Sequence, residues 1–174
     1  SYSKLQYSGR FLLQLIKDVL DMSKLEQEKF TVNPVPYAFS EFWGSVDMLI
    51  GPMCAKKGIE LKWNSSIPDD RFIYADPLRL TQIFVNLLSN SVKYTNAGGH
   101  ILFECKEDTR VGNKVFDTFV VTDDGIGMSE EFQKHLFEPF AQESHDVNSD
   151  LNGTGLGLSI VKGIVDALGG SIEV

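Results

Sequence analysis

Residues 86–95 read NLLSNSVKYT, an apolar run carrying Asn86 and Asn90 four residues apart, with Lys93 three further on. Asparagine is a poor helix former because its amide competes for backbone hydrogen bonds. Two of them in one stretch therefore ask for a chemical reason. At 100° per residue, Arg79, Gln82, Asn86, Asn90 and Lys93 fall within an arc of roughly 80°, and Leu80, Phe84, Leu87, Leu88 and Ser91 fall opposite. One face is for packing, and the other is lined with amides and a cation. A plain solvated face is the alternative, but Glu and Lys would be commoner there. An amide oxygen is a neutral ligand for a hard cation such as Mg²⁺, and a nearby lysine can meet phosphate.

A second stretch, VVTDDGIGM (120–128), puts an acidic residue at a strand end before two glycines, Gly125 and Gly127. The glycines let backbone approach a flat ligand closely. The carboxylate can accept a hydrogen bond from an exocyclic amine. A tight turn is the competing reading. A third stretch, NGTGLGLSI (152–160), runs Gly153, Gly155 and Gly157 straight into a helical pattern. Free backbone N–H groups, the helix dipole and little side-chain bulk make that an anion site. No GxxxxGK[ST] occurs, so it is not a Walker A loop. The GxGxG spacing, with no strand feeding it, is not a dinucleotide fingerprint.

The elements that must hold these stretches follow from periodicity. Residues 1–28 read as one long helix, apolar on most sides (Leu5, Leu12, Ile16 and Val19, widened by Phe11, Leu13, Leu15, Leu20, Met22 and Leu25). Such a helix belongs in a bundle and wants another chain or a further helix as partner. Residues 30–39 carry two prolines and read as strand and linker. A helix from Ser40, its expected N-cap, runs to about Lys57 and stops at Gly58. Strands are expected at 59–64 and 72–76. Asp76-Pro77 opens the helix that carries the asparagines, a cap followed by proline at the first position. Residues 100–107 and 114–123 pair as a hairpin around VGN. Residues 124–155 form a lid-like loop with one short helix. A helix over 157–170 stops at glycine, and SIEV begins a strand. Helices interleaved with strands predict an α/β two-layer sandwich.

Composition narrows the function classes. The 174 residues are 43% apolar and 23% charged with net charge −8. That balance argues against a nucleic-acid surface and requires a metal or local donors for any bound polyphosphate. The longest apolar stretch, MLIGPMCA (48–55), is too short to span a bilayer. No signal peptide is read at the N-terminus. Cys54 and Cys105 stand apart without metal spacing and are expected as free, buried thiols.

Taken in order, the motifs resemble the ATP-binding domain of sensor histidine kinases, within the GHKL ATPase/kinase superfamily. NLLSNSVKYT resembles the N box, DDGIG the first glycine box, FEPF (137–140) the F box and GTGLGLSI the second glycine box. SGRFLLQLIKDVLDMSKLEQEKF is similar to the second helix of the dimerisation and phosphotransfer domain. The resemblance implies residues 1–29 as that helix and 30–174 as an ATP-binding domain with the Bergerat two-layer fold. It implies ATP and Mg²⁺ as ligands, with Asn90 on the metal, Asn86 supporting the phosphate and metal site, Lys93 on phosphate and Tyr94 beside the nucleotide. Asp123 would read the adenine amine, with Gly125 and Gly127 shaping the purine pocket. Phe137 and Phe140 would anchor the lid. Gly153, Gly155 and Gly157 would form its hinge and contact phosphates, with Thr154 and Leu156 also in the ATP-binding site.

The resemblance also separates transfer from hydrolysis. Superfamily hydrolases such as gyrase place a glutamate four residues before the metal asparagine to activate water. Asn86 stands there, and an amide cannot act as a general base. Transfer to a histidine is implied, yet the family's HE..TPL box is absent. His100, His135 and His145 read as ordinary surface or lid histidines. The chain reads as a fragment cut at both ends, expected to bind nucleotide but not to phosphorylate itself. No basic residue precedes the second glycine box, where DLN (150–152) stands, and Gln142 follows the F box in a form familiar among hybrid kinases. The implied partners are a second copy, through the bundle helix, and a response-regulator receiver domain, with no nucleic acid and no membrane contact by these residues. The implied location is the cytoplasm. A non-catalytic interaction module of the same fold and a GHKL hydrolase are the rival readings.

Overall fold

A computed structural model describes residues 2–27, 29–143 and 153–174 of the chain. They divide into two units: Asn33–Gly127, and Ser1–Val32 together with Met128–Val174.

In the first unit, β2 (Glu60–Ser65), β4 (His100–Val111) and β5 (Lys114–Asp123) form a sheet in the order β2-β4-β5. β2 runs parallel to β4, and β4 antiparallel to β5. The period of two is plain along β4, where Ile101, Phe103 and Cys105 are buried. Across the ladders Phe103 lies opposite Trp63 and Val121, so one face of the sheet is apolar. Helices α2 (Phe39–Lys57) and α3 (Pro77–Tyr94) cover that face. Phe84 of α3 sits 4.9 Å from the Phe103 ring and 4.6 Å from Phe119. Trp43 of α2 stacks on Trp63 at 4.3 Å. Aromatic pairs of this kind add about 0.5–1.5 kcal/mol each beyond the area they bury. They fix the rotation of α3 about its axis, and with it the direction of its amide face. Layered helices on a sheet match the α/β expectation. Cys54 and Cys105 are buried and not joined in a disulfide, as expected, and burial pushes the Cys54 thiol up, which quiets its reactivity.

The start of α3 is set by a second small sheet, β1 (Val35–Ala38) antiparallel to β3 (Phe72–Ala75). Asp76 follows β3 and caps α3, accepting the Arg79 N–H at 3.1 Å and the Asn33 N–H at 2.8 Å. Asp76→Ala should cost about 1–2 kcal/mol, as N-cap losses do, read as a lower urea midpoint. The other end of α3 is held by Lys57, whose Nζ donates to the Val92 and Lys93 carbonyls at 2.7 and 2.9 Å. A cation on those carbonyls also complements the helix dipole.

Two expectations need correction. The N-cap of α2 is Ala38, not Ser40, and no side chain caps the helix. The Phe39 and Ser40 N–H groups instead donate to the carbonyls of Arg71 and Asp69, so a tertiary turn does the work of a cap. Residues 171–174 form no strand, because no ladder partner for them lies among the described residues.

The second unit holds α1 (Tyr2–Glu26), α4 (Glu130–Gln133) and α5 (Gly157–Ala167). α1 packs along α5, where Ser159 Oγ lies 3.6 Å from Met22 Sδ and a Cβ on Gly163 would meet Leu25 at 2.8 Å. α5 leaves much of α1 uncovered: Leu5, Leu12, Leu13, Ile16 and Leu20 are all exposed. Among the described residues, no helix is long and apolar enough to cross a membrane.

Candidate functional site

In the first unit the site grows from the C-terminal end of α3. Ile83, Phe84, Leu88, Ser91 and Val92 are buried, which leaves Asn86, Asn90 and Lys93 on a partly exposed face. Among the described residues neither the Asn86 nor the Asn90 side chain has a hydrogen-bond partner. Lys93 Nζ lies 4.9 Å from the centre of the Tyr94 ring.

The DDGIG loop leaves β5 and lies against that helix end. Asp123 accepts the Ser91 hydroxyl at 2.8 Å and the Gly125 N–H at 3.1 Å. The Ile126 N–H donates to the Tyr94 carbonyl at 3.1 Å. A Cβ on Gly125 would stand 2.5 Å from that same oxygen, so only glycine fits. Gly127 has φ 71°, in the left-handed region that favours glycine. Tyr94, Asp123 and Gly125 are thus brought together with the amide face of α3. The neighbouring carboxylate is used differently. Asp124 accepts the His100 N–H and meets its ring Nδ1, both at 2.7 Å. Those contacts hold its carboxyl below the usual range. His100 is an exposed residue, as expected, and so is His135, which pairs with Glu138 at 2.9 Å. His145 and the DLN segment lie outside the described residues.

In the second unit the F box and the second glycine box touch. The Phe140 N–H donates to the Gly155 carbonyl at 2.9 Å. Phe140 has φ 63° and Gly155 φ 73°. A Cβ on Gly155 would meet the Phe140 Cα at 2.9 Å. Phe140 meets the glycine box through its backbone, while its ring is 63% exposed; Phe137 is half-buried. Gln142 donates to the Gly153 carbonyl. Leu156 is buried and precedes α5, and among the described residues no side chain caps that helix, whose first turn is the kind of N–H array that an anion can meet. The Thr154 hydroxyl donates to Asp18 of α1 at 2.7 Å, and Gln14 holds the same carboxylate at 2.7 Å.

Sequence reasoning missed two of these residues. Periodicity places Ser91 only on the packed face of its helix, and its signal is a hydroxyl among apolar neighbours beside an amide pair. Asp18 is a charge within an apolar helix, a position that calls for partners when buried.

The chain carries an α/β sandwich of helices layered on a sheet. It belongs to the family of histidine kinase-, DNA gyrase B- and HSP90-like ATPases, whose profile matches residues 75–174. The autoinducer 2 sensor kinase/phosphatase LuxQ of Vibrio harveyi is 37% identical over 97% of this chain and 20% of its own length. The signal transduction histidine-protein kinase BarA of Escherichia coli is 36% identical over 97% of this chain and 18% of its own. Among solved structures, full-length ShkA in complex with AMPPNP superposes with a TM-score of 0.78, at 33% identity over 97% of this chain and 34% of that one. The chain spans about a fifth of the length of the curated relatives it matches. The GHKL sandwich and the histidine-kinase type of ATP-binding catalytic domain, both implied by the motifs, stand.

Proposed function

We propose that this chain binds Mg²⁺·ATP and that the protein it belongs to transfers the γ-phosphate to a histidine outside these residues. The carrying observation is the end of α3. Two amides, unpartnered among the described residues, share one helix face with a lysine, beside a loop whose aspartate is held as an acceptor. Asp123 takes the adenine amine, with Gly125 and Gly127 leaving room for the ring. Tyr94 lies beside the nucleotide, and Lys93 meets phosphate. The AMPPNP complex of the ShkA relative supports an adenine nucleotide as the ligand.

The residues fit a magnesium ion of the substrate-held kind. Among the described residues no cluster of His, Cys, Asp or Glu offers a metal cage. Mg²⁺ with nucleotides commonly takes one or two protein oxygens and completes its shell with phosphates and water. Asn90 supplies such an oxygen and Asn86 supports it. The ion would supply charge neutralisation on the phosphates. The second glycine box, Gly153 to Gly157 with Thr154 and Leu156, offers backbone N–H groups to phosphate, and Phe137 and Phe140 anchor the lid that carries it.

Asn86 favours transfer over hydrolysis, since an amide cannot take a proton from water. Transfer forms an N–P bond at an imidazole nitrogen, breaks the bond to the β,γ-bridging oxygen and releases ADP. The chain's part is positioning and electrostatics. We read residues 1–29 as the second helix of a dimerisation and phosphotransfer domain and 30–174 as the catalytic domain. The exposed apolar face of α1 supports a homodimer through that helix. A response-regulator receiver domain is the proposed downstream partner, and the cytoplasm the proposed location.

Asn90→Ala tests the metal assignment. Mg²⁺ should no longer tighten ADP binding, while metal-free ADP affinity changes less than about threefold, as expected for an uncharged side chain that makes no direct base contact. Calorimetric titration at fixed ADP and varied Mg²⁺ reads both. An undiminished Mg²⁺ effect would remove Asn90 from the metal site.

A further inference from the structure

Asp123 is an exposed carboxylate at the end of β5, and such a group ordinarily turns freely about both side-chain torsions. Here it does not. Its two oxygens are held separately, one by the Gly125 N–H at 3.1 Å and the other by Ser91 Oγ at 2.8 Å. The first bond is local, from a residue two positions on. The second comes from a different element and joins the loop to α3. Ser91 is 6% exposed. A serine inside a helix commonly returns its hydroxyl to the carbonyl four residues earlier; Ser91 donates across to Asp123 instead.

Resting on the nucleotide reading above, we propose that Ser91 is the positioning residue that sets the purine specificity of this site. With both oxygens taking one donor each, the carboxylate plane is fixed and each oxygen keeps lone-pair capacity. The fixed group can accept from a 6-amino group, as adenine offers. It repels a 6-oxo group, which is itself an acceptor. A carboxylate free to turn could re-aim at the N1–H and 2-amino donors of guanine. Ser91 therefore excludes guanine by denying Asp123 that second orientation, and it improves adenine binding by ordering the acceptor before the ligand arrives.

The test is the ratio of ADP to GDP affinity, measured calorimetrically on the 174-residue chain with Mg²⁺ present. Ser91→Ala should lower that ratio about tenfold, the scale of one hydrogen bond to a charged group. Ser91→Cys is close in shape, slightly larger, and a poor donor, so it should lower the ratio as well. In an Asp123→Asn background, Ser91→Ala should leave the ratio unchanged. A wild-type ratio in Ser91→Ala, or its recovery in Ser91→Cys, would overturn the proposal while leaving the nucleotide site intact. A wild-type chain that binds neither nucleotide would overturn that reading and this one together.

Discussion

Gly125→Ala should weaken ADP binding by about a hundredfold, the upper end of what an overpacked contact costs. The added Cβ would sit 2.5 Å from the Tyr94 carbonyl oxygen and 2.9 Å from Asp123 Oδ1. Neither neighbour can give way cheaply. Tyr94 O belongs to the last turn of α3 and accepts the Ile126 N–H, and the carboxylate is held by Ser91. The loop must lift from the helix, carrying Asp123 away from the amide face. Gly44→Ala is the matched control, because Gly44 lies within α2 and a Cβ there meets nothing within 4 Å. It should leave affinity unchanged and raise stability slightly, through the better helix propensity of alanine. Titration with ADP and a thermal melt of each variant read the contrast. Full affinity in Gly125→Ala would show that the loop carries no part of the site.

Asp123→Asn is the second large effect. The substitution keeps the shape and removes the charge. A hydrogen bond to a charged group is worth about 1.5–3 kcal/mol, so ADP should bind roughly 10–100-fold more weakly. The asparagine can still accept from Ser91, yet its amide nitrogen is a donor and meets a 6-oxo group as readily as its oxygen meets a 6-amino group. Affinity for ADP and GDP should therefore converge. Parallel titrations with the two nucleotides read this. A retained preference for ADP would move adenine recognition to another group.

The chemistry-bearing stretches were legible because their residue types run against their surroundings. Two amides on an apolar helix, Asp76-Pro77 at its start and glycines after a strand-end aspartate each name a local geometry, and the fold carries each of them on the expected element. Contacts between elements were not legible. Nothing local ties Ser91 to Asp123, thirty-two residues away, or Asp18 of α1 to Thr154. The misassigned cap at Ser40 has the same cause. Serine at a helix start is a sound local signal, but the carbonyls of Asp69 and Arg71 had already met the first-turn amides. In the second unit the glycines were evident, whereas the backbone bond from Phe140 to Gly155, with both residues at positive φ, needed the folded chain.

We propose that the end of α3 and the DDGIG loop together bind a magnesium–adenine nucleotide. Calorimetric titration of the wild-type chain with ADP and with GDP, each with and without Mg²⁺, tests it most directly. Saturable ADP binding that tightens when Mg²⁺ is added, with GDP markedly weaker, is the predicted result. Equal affinity for the two nucleotides, or ADP binding indifferent to Mg²⁺, would contradict the roles assigned to Asp123 and Asn90.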